Sequence, residues 1–151
     1  MKDKQRLHLR INTMERIVYE DDVDSVTLPT KSGEITILVN HVPLVSVLNS
    51  GELMIKKDEK EVFIAVSGGF IETDGKTLTV LADMAERAEE IDEKKADEAR
   101  AKAEELMLAR KGDEVGYADA MAHMERELAR LKVARKFRKR SGQGPSPISH
   151  E

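Results

Sequence analysis

Gly33-Glu34-Ile35-Thr36-Ile37-Leu38-Val39-Asn40-His41-Val42-Pro43-Leu44 decides how the first half of the chain is read. β-prone residues run from Ile35 to Val39, Asn40 to Pro43 form a tight corner, and Leu44 opens a second strand. One of only four histidines lies in that corner, inside the most apolar part of the chain. Gly and Pro mark corners for purely structural reasons. Two readings therefore stand side by side: a corner that only closes a sandwich, and one that also presents Glu34 and His41 to a partner.

The flanking sequence settles the fold class. Upstream, Leu7, Leu9 and Ile11 alternate with His8, Arg10 and Asn12, the period of a half-buried strand. Ile17-Val18-Tyr19 and Val26-Thr27-Leu28 are β-prone runs separated by the acidic Glu20-Asp21-Asp22, which reads as a turn. Downstream, Leu53-Met54-Ile55 and Val62-Phe63-Ile64 flank Lys57-Asp58-Glu59-Lys60 as a hairpin. Gly68-Gly69 marks a bulge or a close backbone approach. Asp74-Gly75, between Phe70-Ile71 and Leu78-Thr79-Val80-Leu81, supplies the positive φ values of a two-residue hairpin turn. Short strands with turns at this spacing predict an all-β domain over residues 1–85, an antiparallel β-sandwich or a barrel. No strand-helix-strand alternation occurs, and Gly68-Gly69 lacks the Lys-Ser/Thr of a phosphate-binding loop.

At Ala82-Asp83 the composition changes. Asp83 reads as a helix N-cap with Glu86 as its capping-box partner, and strong helix formers continue to Arg110. Lys111-Gly112-Asp113 stops that helix, and a second is expected from about Tyr117 to Lys139. Tyr117, Met121, Met124, Leu128 and Leu131 recur at helical spacing and are expected to face Ala96, Ala99, Ala103 and Leu106. Residues 86–140 thus read as an antiparallel helical hairpin with a thin core, since an alanine buries only a fraction of what a leucine does. Ser141 to Pro147 is rich in Ser, Gly and Pro, and 141–151 reads as a disordered tail.

Charge is spread unevenly. Residues 1–85 hold ten Lys/Arg against fourteen Asp/Glu, 86–119 seven against twelve, and 120–140 eight against two. Arg126, Arg130, Lys132, Arg135, Lys136 and Arg138 belong to this basic segment, which suits an acidic partner as well as a solvated helix end. The chain has no Cys, so disulfides and thiolate metal sites are excluded, in keeping with a reducing compartment. Met1-Lys2-Asp3-Lys4-Gln5-Arg6 is followed by no apolar run, so no signal peptide is expected. No stretch approaches the ~18 apolar residues of a membrane span, so any membrane association would come through a partner. His8, His41, His123 and His150 are scattered singly, without metal-ligand spacing, and no nucleophile-base pattern stands out. No catalytic residues and no metal are expected.

Four pieces in order carry a family resemblance: Asp24-Ser25-Val26-Thr27-Leu28-Pro29, the corner at 33–44, Val66-Ser67-Gly68-Gly69-Phe70, and Ala82-Asp83-Met84-Ala85-Glu86-Arg87-Ala88-Glu89-Glu90-Ile91-Asp92. With Gly112-Asp113, Tyr117-Ala118 and Leu131-Lys132-Val133, the chain resembles the epsilon subunits of F-type ATP synthases over residues 6 to 138. Thr36 and Val39 stand where that family often has Gly and Pro. The resemblance implies a non-catalytic rotor subunit, peripheral on the cytoplasmic face of a bacterial inner membrane, linking the gamma subunit to the c-ring. It implies Glu34, His41 and Ser46 as contacts to gamma or the ring. It also implies an arm that extends so that its basic helix meets the catalytic beta subunits and blocks ATP hydrolysis. Exposed ion pairs are screened by salt, so that inhibition is expected to weaken as salt rises. Some relatives bind ATP through an Ile/Leu-Asp-x-x-Arg-Ala pattern, read here as Ile91-Asp92-Glu93-Lys94-Lys95-Ala96, with Glu86 nearby. Lys95 keeps the charge of the arginine but lacks its planar fork, so ATP stands as an optional regulatory ligand. The rival from another class is a nucleic-acid module using the basic helix. The scarcity of aromatics and the acidic chain as a whole argue against it.

Overall fold

A computed structural model describes residues 3–140; the expected tail at 141–151 lies outside them. Eight strands precede two helices: β1 (Leu7–Asn12), β2 (Ile17–Val23), β3 (Ser25–Thr30), β4 (Gly33–Leu38), β5 (Leu44–Val47), β6 (Gly51–Lys57), β7 (Lys60–Thr73) and β8 (Thr77–Arg87). After a 3-10 turn at Ala88–Glu90 come α1 (Glu93–Ala109) and α2 (Glu114–Arg140). Hydrogen bonding orders the strands β2-β1-β8-β7-β6-β3-β4, with β5 continuing beside β7 where β6 leaves off. All pairings are antiparallel except β1 with β8.

This sheet folds over on itself. β7 has fourteen residues and bends at Gly68-Gly69, so its first half lies in one layer and its second half in the other. At Gly69, with φ of +112°, a Cβ would stand 1.9 Å from the Leu81 carbonyl oxygen, so only glycine admits the approach. The β7–β8 register is the same on both sides of Gly68, from Ile64↔Arg87 to Ser67↔Met84 and from Gly69↔Ala82 to Thr73↔Leu78, so no residue is inserted and close approach explains Gly69. Alternate residues then face inward: Leu7, Leu9 and Ile11 from β1 meet Val26, Leu28, Ile37, Leu53 and Ile55 from β3, β4 and β6, all buried. The core is aliphatic, as a chain this poor in aromatics requires, and the expected sandwich followed by a helical hairpin is what forms.

Four local expectations need correction. Glu20-Asp21-Asp22 is not a turn; it lies within β2, paired with Leu9, Arg10 and His8. The β7–β8 turn centres on Gly75-Lys76, while the Asp74 carboxylate accepts the Lys76 and Thr77 N–H groups at 2.9 and 2.8 Å. Asp83 and Glu86 are strand residues of β8, and the helix begins ten residues beyond Asp83, capped by Asp92. Pairing to β7 overrides the helix propensity of Ala82 to Arg87. Finally, the inter-helix seam is the expected one at Ala96, Ala103 and Leu131, which are buried, but not at most of the larger residues. Gly116, Ala120, Glu127, Leu131 and Ala134 are buried with Ala96 and Ala103, whereas Tyr117, Met121, Leu128 and Leu106 are exposed. Small residues let the two helices approach closely, and the larger side chains turn outward about a quarter turn round α2.

α2 lies across the sandwich, packed on β6 and β7. A second, small apolar cluster joins Val133 to Phe63, Ala65 and Ala88, with Met54 and Ile91 at its edge. Ala129 is also buried, but no leucine of either helix enters this contact.

Candidate functional site

Three surfaces carry the candidate residues. The first is the outer edge formed by β4 and the corner after it. β4 pairs only with β3, so its other side is open. Glu34 is the second residue of this strand, opposite Pro29, and is exposed. His41 lies past its other end, on the order of 15 Å or more away at the rise of an extended chain. Asn40, with φ of +65°, turns the chain there, and its N–H donates to the Gly75 carbonyl at 2.7 Å. His41 Nδ1 donates to the Val42 carbonyl at 2.7 Å, because a carbonyl can only accept. Glu34 and His41 therefore mark two ends of one exposed edge rather than one point. Leu38 and Val42 are exposed beside His41. Ser46 is half-buried in the middle of β5, opposite Ile71, between the exposed Val45 and Val47.

The second surface is absent from the sequence reading. Across the outer face of β5, β7, β8, β1 and β2, one register row runs Val47, Phe70, Leu81, Asn12, Ile17. Phe70 and Leu81 are 59% and 54% exposed, and Val47 and Ile17 are exposed too. Their neighbours Ile71, Val80 and Ile11 fill the core. Both faces of the sheet are thus apolar along this row, and only one is covered by the chain's own core. The signal was present as Phe70-Ile71 and Val80-Leu81, adjacent apolar pairs that break strict alternation. On the same sheet, His8 sits between Asp22 at 2.8 Å and Glu20 at 3.1 Å, and these hydrogen bonds, Asp22 first, raise its pKa above 6.5.

The third surface is the basic helix, and its charges are largely met within the chain. Arg130 donates to Glu86 at 3.0 Å and to the buried Glu127 at 2.7 Å. Burial opposes the charge on Arg130, yet the two carboxylates outweigh it and raise the pKa. Arg135 and Arg138 both reach Glu93 in α1, at 3.2 and 3.0 Å. Lys136 pairs with Glu52 at 2.7 Å, and Arg140 contacts Glu61. Arg126 is half-buried, with its Nε unpaired among the described residues, and Lys132 is exposed. A helix so matched to its own sandwich offers nucleic acid little unpaired charge, which weighs against the rival reading.

The residues of the ATP pattern cluster at the base of the hairpin, but most have structural work. Asp92 caps α1 by accepting the Lys95 N–H at 3.1 Å. Ile91 packs against the small apolar cluster, Ala96 is fully buried, and Glu86 holds Arg130. Of the five, Asp92 and Lys95 are exposed, and Lys95 alone has none of these structural tasks. None of the five lines the cleft of about 690 Å³ bordered by Asn49, Ser67, Asp83, Arg126 and Lys132.

Sandwich, open edge, uncovered apolar row and basic hairpin define a protein-docking subunit built in two parts. The two parts match two family models in turn: the ATP synthase delta/epsilon chain beta-sandwich domain over residues 6–88 and its long alpha-helix domain over 89–135. The chain is 45% identical to an ATP synthase epsilon chain of Chloroflexus aggregans, over 85% of this chain and 91% of that one. It is 44% identical to that of Dehalococcoides mccartyi, over 89% and 96%. The fold also matches a chain in the Euglena gracilis mitochondrial ATP synthase structure that includes the c-ring, with a TM-score of 0.73 at 23% identity, covering 87% of this chain and 82% of that one. The chain belongs to the ATP synthase delta/epsilon chain family. An epsilon chain is a non-catalytic subunit, and on that ground the expectation of no catalytic role holds.

Proposed function

We propose that the sandwich sits in the rotor of a proton-translocating ATP synthase, joining gamma to the c-ring, and that the basic arm restrains ATP hydrolysis at the catalytic beta subunits. The observation that carries this reading is the uncovered row Val47, Phe70, Leu81 and Ile17, an apolar strip that the chain's own arm, docked on β6 and β7, does not reach. It is the face assigned to gamma. The open β4 edge and its corner, with Glu34, His41 and the nearby Ser46, are assigned to the ring and the adjoining stalk. Membrane association then comes only through the complex, at the cytoplasmic face of a bacterial inner membrane; no described helix is long and apolar enough to cross a membrane.

The arm acts by extending from the sandwich, and the contact it leaves is thin enough to permit that. Replacing Phe70 and Leu81 by Glu tests the rotor assignment. Both are exposed, so the isolated chain should melt as before, while the subunit is lost from purified synthase. Retention at full stoichiometry would overturn it. For nucleotide, the reading is that ATP binds poorly: Lys95 replaces the arginine fork, and Asp92 and Glu86 are already engaged. Calorimetry on the isolated chain should give no saturable heat with ATP.

A further inference from the structure

The last turns of α2 are gripped by one small region of the sandwich. Lys136 and Arg140 both stand over the ring of Phe63, 5.3 and 4.8 Å from its centroid. Lys136 Nζ also lies 2.7 Å from Glu52 Oε1, and Arg140 contacts Glu61. Phe63 and Glu61 come from β7 and Glu52 from the neighbouring β6, so two rigid strands position all three. Burial is lopsided: the Glu52 side chain is 11% exposed and Glu61 20%, against 43% for Lys136 and 56% for Arg140. Glu52 Oε2 has no hydrogen-bond partner among the described residues. The arm therefore covers these carboxylates and supplies Lys136 to Glu52 and Arg140 to Glu61, which Lys56 of β6 also reaches at 4.0 Å.

The arm also meets the sandwich through the small Val133 cluster and the Arg130–Glu86 pair, which adjoin the hinge at Ala88–Glu90. It meets it again through Ala129, beside the cleft that Leu128 and Lys132 share with Asn49 and Ser67. Arg135 and Arg138, which flank Lys136, pair with Glu93 at the start of α1, so these contacts hold the base of the hairpin. We propose that Glu52, Phe63 and Glu61 form a clasp that fixes the arm's resting position through Lys136 and Arg140, and that ionic conditions shift the arm through this clasp. Its consequence for hydrolysis rests on the rotor reading; the clasp itself does not.

The absence of cysteine makes the test direct. Spin labels at Lys31→Cys, on the sandwich, and Ala118→Cys, far along α2, report the arm by pulsed electron resonance in the full chain. At low salt the parent should give one dominant distance. Glu52→Lys with Glu61→Lys should add a second, raising the undocked-to-docked ratio about tenfold, the scale of two attractive pairs turned repulsive. Adding Lys136→Glu and Arg140→Glu to that variant should restore the parent distance. An unchanged distribution in the first variant would overturn the clasp. So would undocking that the charge swap fails to reverse, since that marks general disruption. Thermal melts of the strand signal establish that the sandwich stays folded. If the clasp opens as described but assembled synthase hydrolyses ATP unchanged, the inhibitory reading fails and the clasp stands.

Discussion

His8 carries the clearest pH signature at the scale of single residues. Hydrogen bonds to Asp22 and then Glu20 raise its folded pKa above 6.5, so the charged ring favours the folded chain. That contribution is complete below the unfolded value and is lost as pH rises through the folded one. Proton NMR should place the His8 midpoint above 6.5, and His8→Gln should flatten the change in melting temperature between pH 6 and pH 8. A midpoint at or below 6.5 would dismiss the pairing. Asp58 and Glu59 form the β6–β7 turn with φ of +50° and +64°, a geometry suited to Asn-Gly. The Asp24 carboxylate supports it by accepting the Asp58 N–H at 2.9 Å. For a non-glycine residue that conformation costs roughly 1–2 kcal/mol. Glu59→Gly should therefore stabilise the chain by about 0.5–1 kcal/mol after the entropy of glycine is set against it, read from denaturant melts.

Elements were legible where a single covered face wrote the pattern. The alternation of Leu7, Leu9 and Ile11 and the corner at Asn40 are visible without coordinates. Legibility ended where two partners share one element. Ala82 to Arg87 has helix-forming composition, yet it is a strand because β7 pairs with it and Ala82 and Ala85 fill the sandwich core. α2 buries small residues and Leu131 on one side and Ala129 and Val133 toward the sandwich. Met121 is exposed, Tyr117 borders a hollow with Met107 and Leu108 of α1, and Leu128 borders the cleft against the sandwich. Size therefore misleads in choosing the seam, because Tyr117, Met121 and Leu128 on this helix stay exposed while Gly116 and Ala120 are buried. The same arrangement isolates one residue for test. Val133 is the only large aliphatic side chain that α2 buries in the small cluster. Val133→Ala should weaken docking by about 1–2 kcal/mol through lost burial, while raising helix propensity. Far-UV dichroism should stay constant as cleavage at the 88–92 hinge accelerates. A parallel loss of helicity would mean that the hairpin itself depends on the sandwich.

For the whole molecule, under the proposed inhibitory role, the salt dependence of inhibition would follow from where the basic charges rest. Were they unpaired until they met the catalytic subunits, added salt would only weaken inhibition. Instead, Arg130, Lys136 and Arg140 are paired with Glu86, Glu52 and Glu61 while the arm is docked. Screening then acts on two competing complexes that use the same cations. Moderate salt loosens the docked arm and raises the fraction able to extend; higher salt weakens the extended contact. The two effects oppose each other, so inhibition in the assembled enzyme should pass through a maximum rather than fall steadily. The variant with Glu52→Lys and Glu61→Lys lacks most of the docked competitor, so its inhibition should start higher and only decline with salt. Steady-state hydrolysis measured from low to high salt on both enzymes separates these cases. Identical, steadily falling curves would show that the docked arm does not compete for the charges that inhibit.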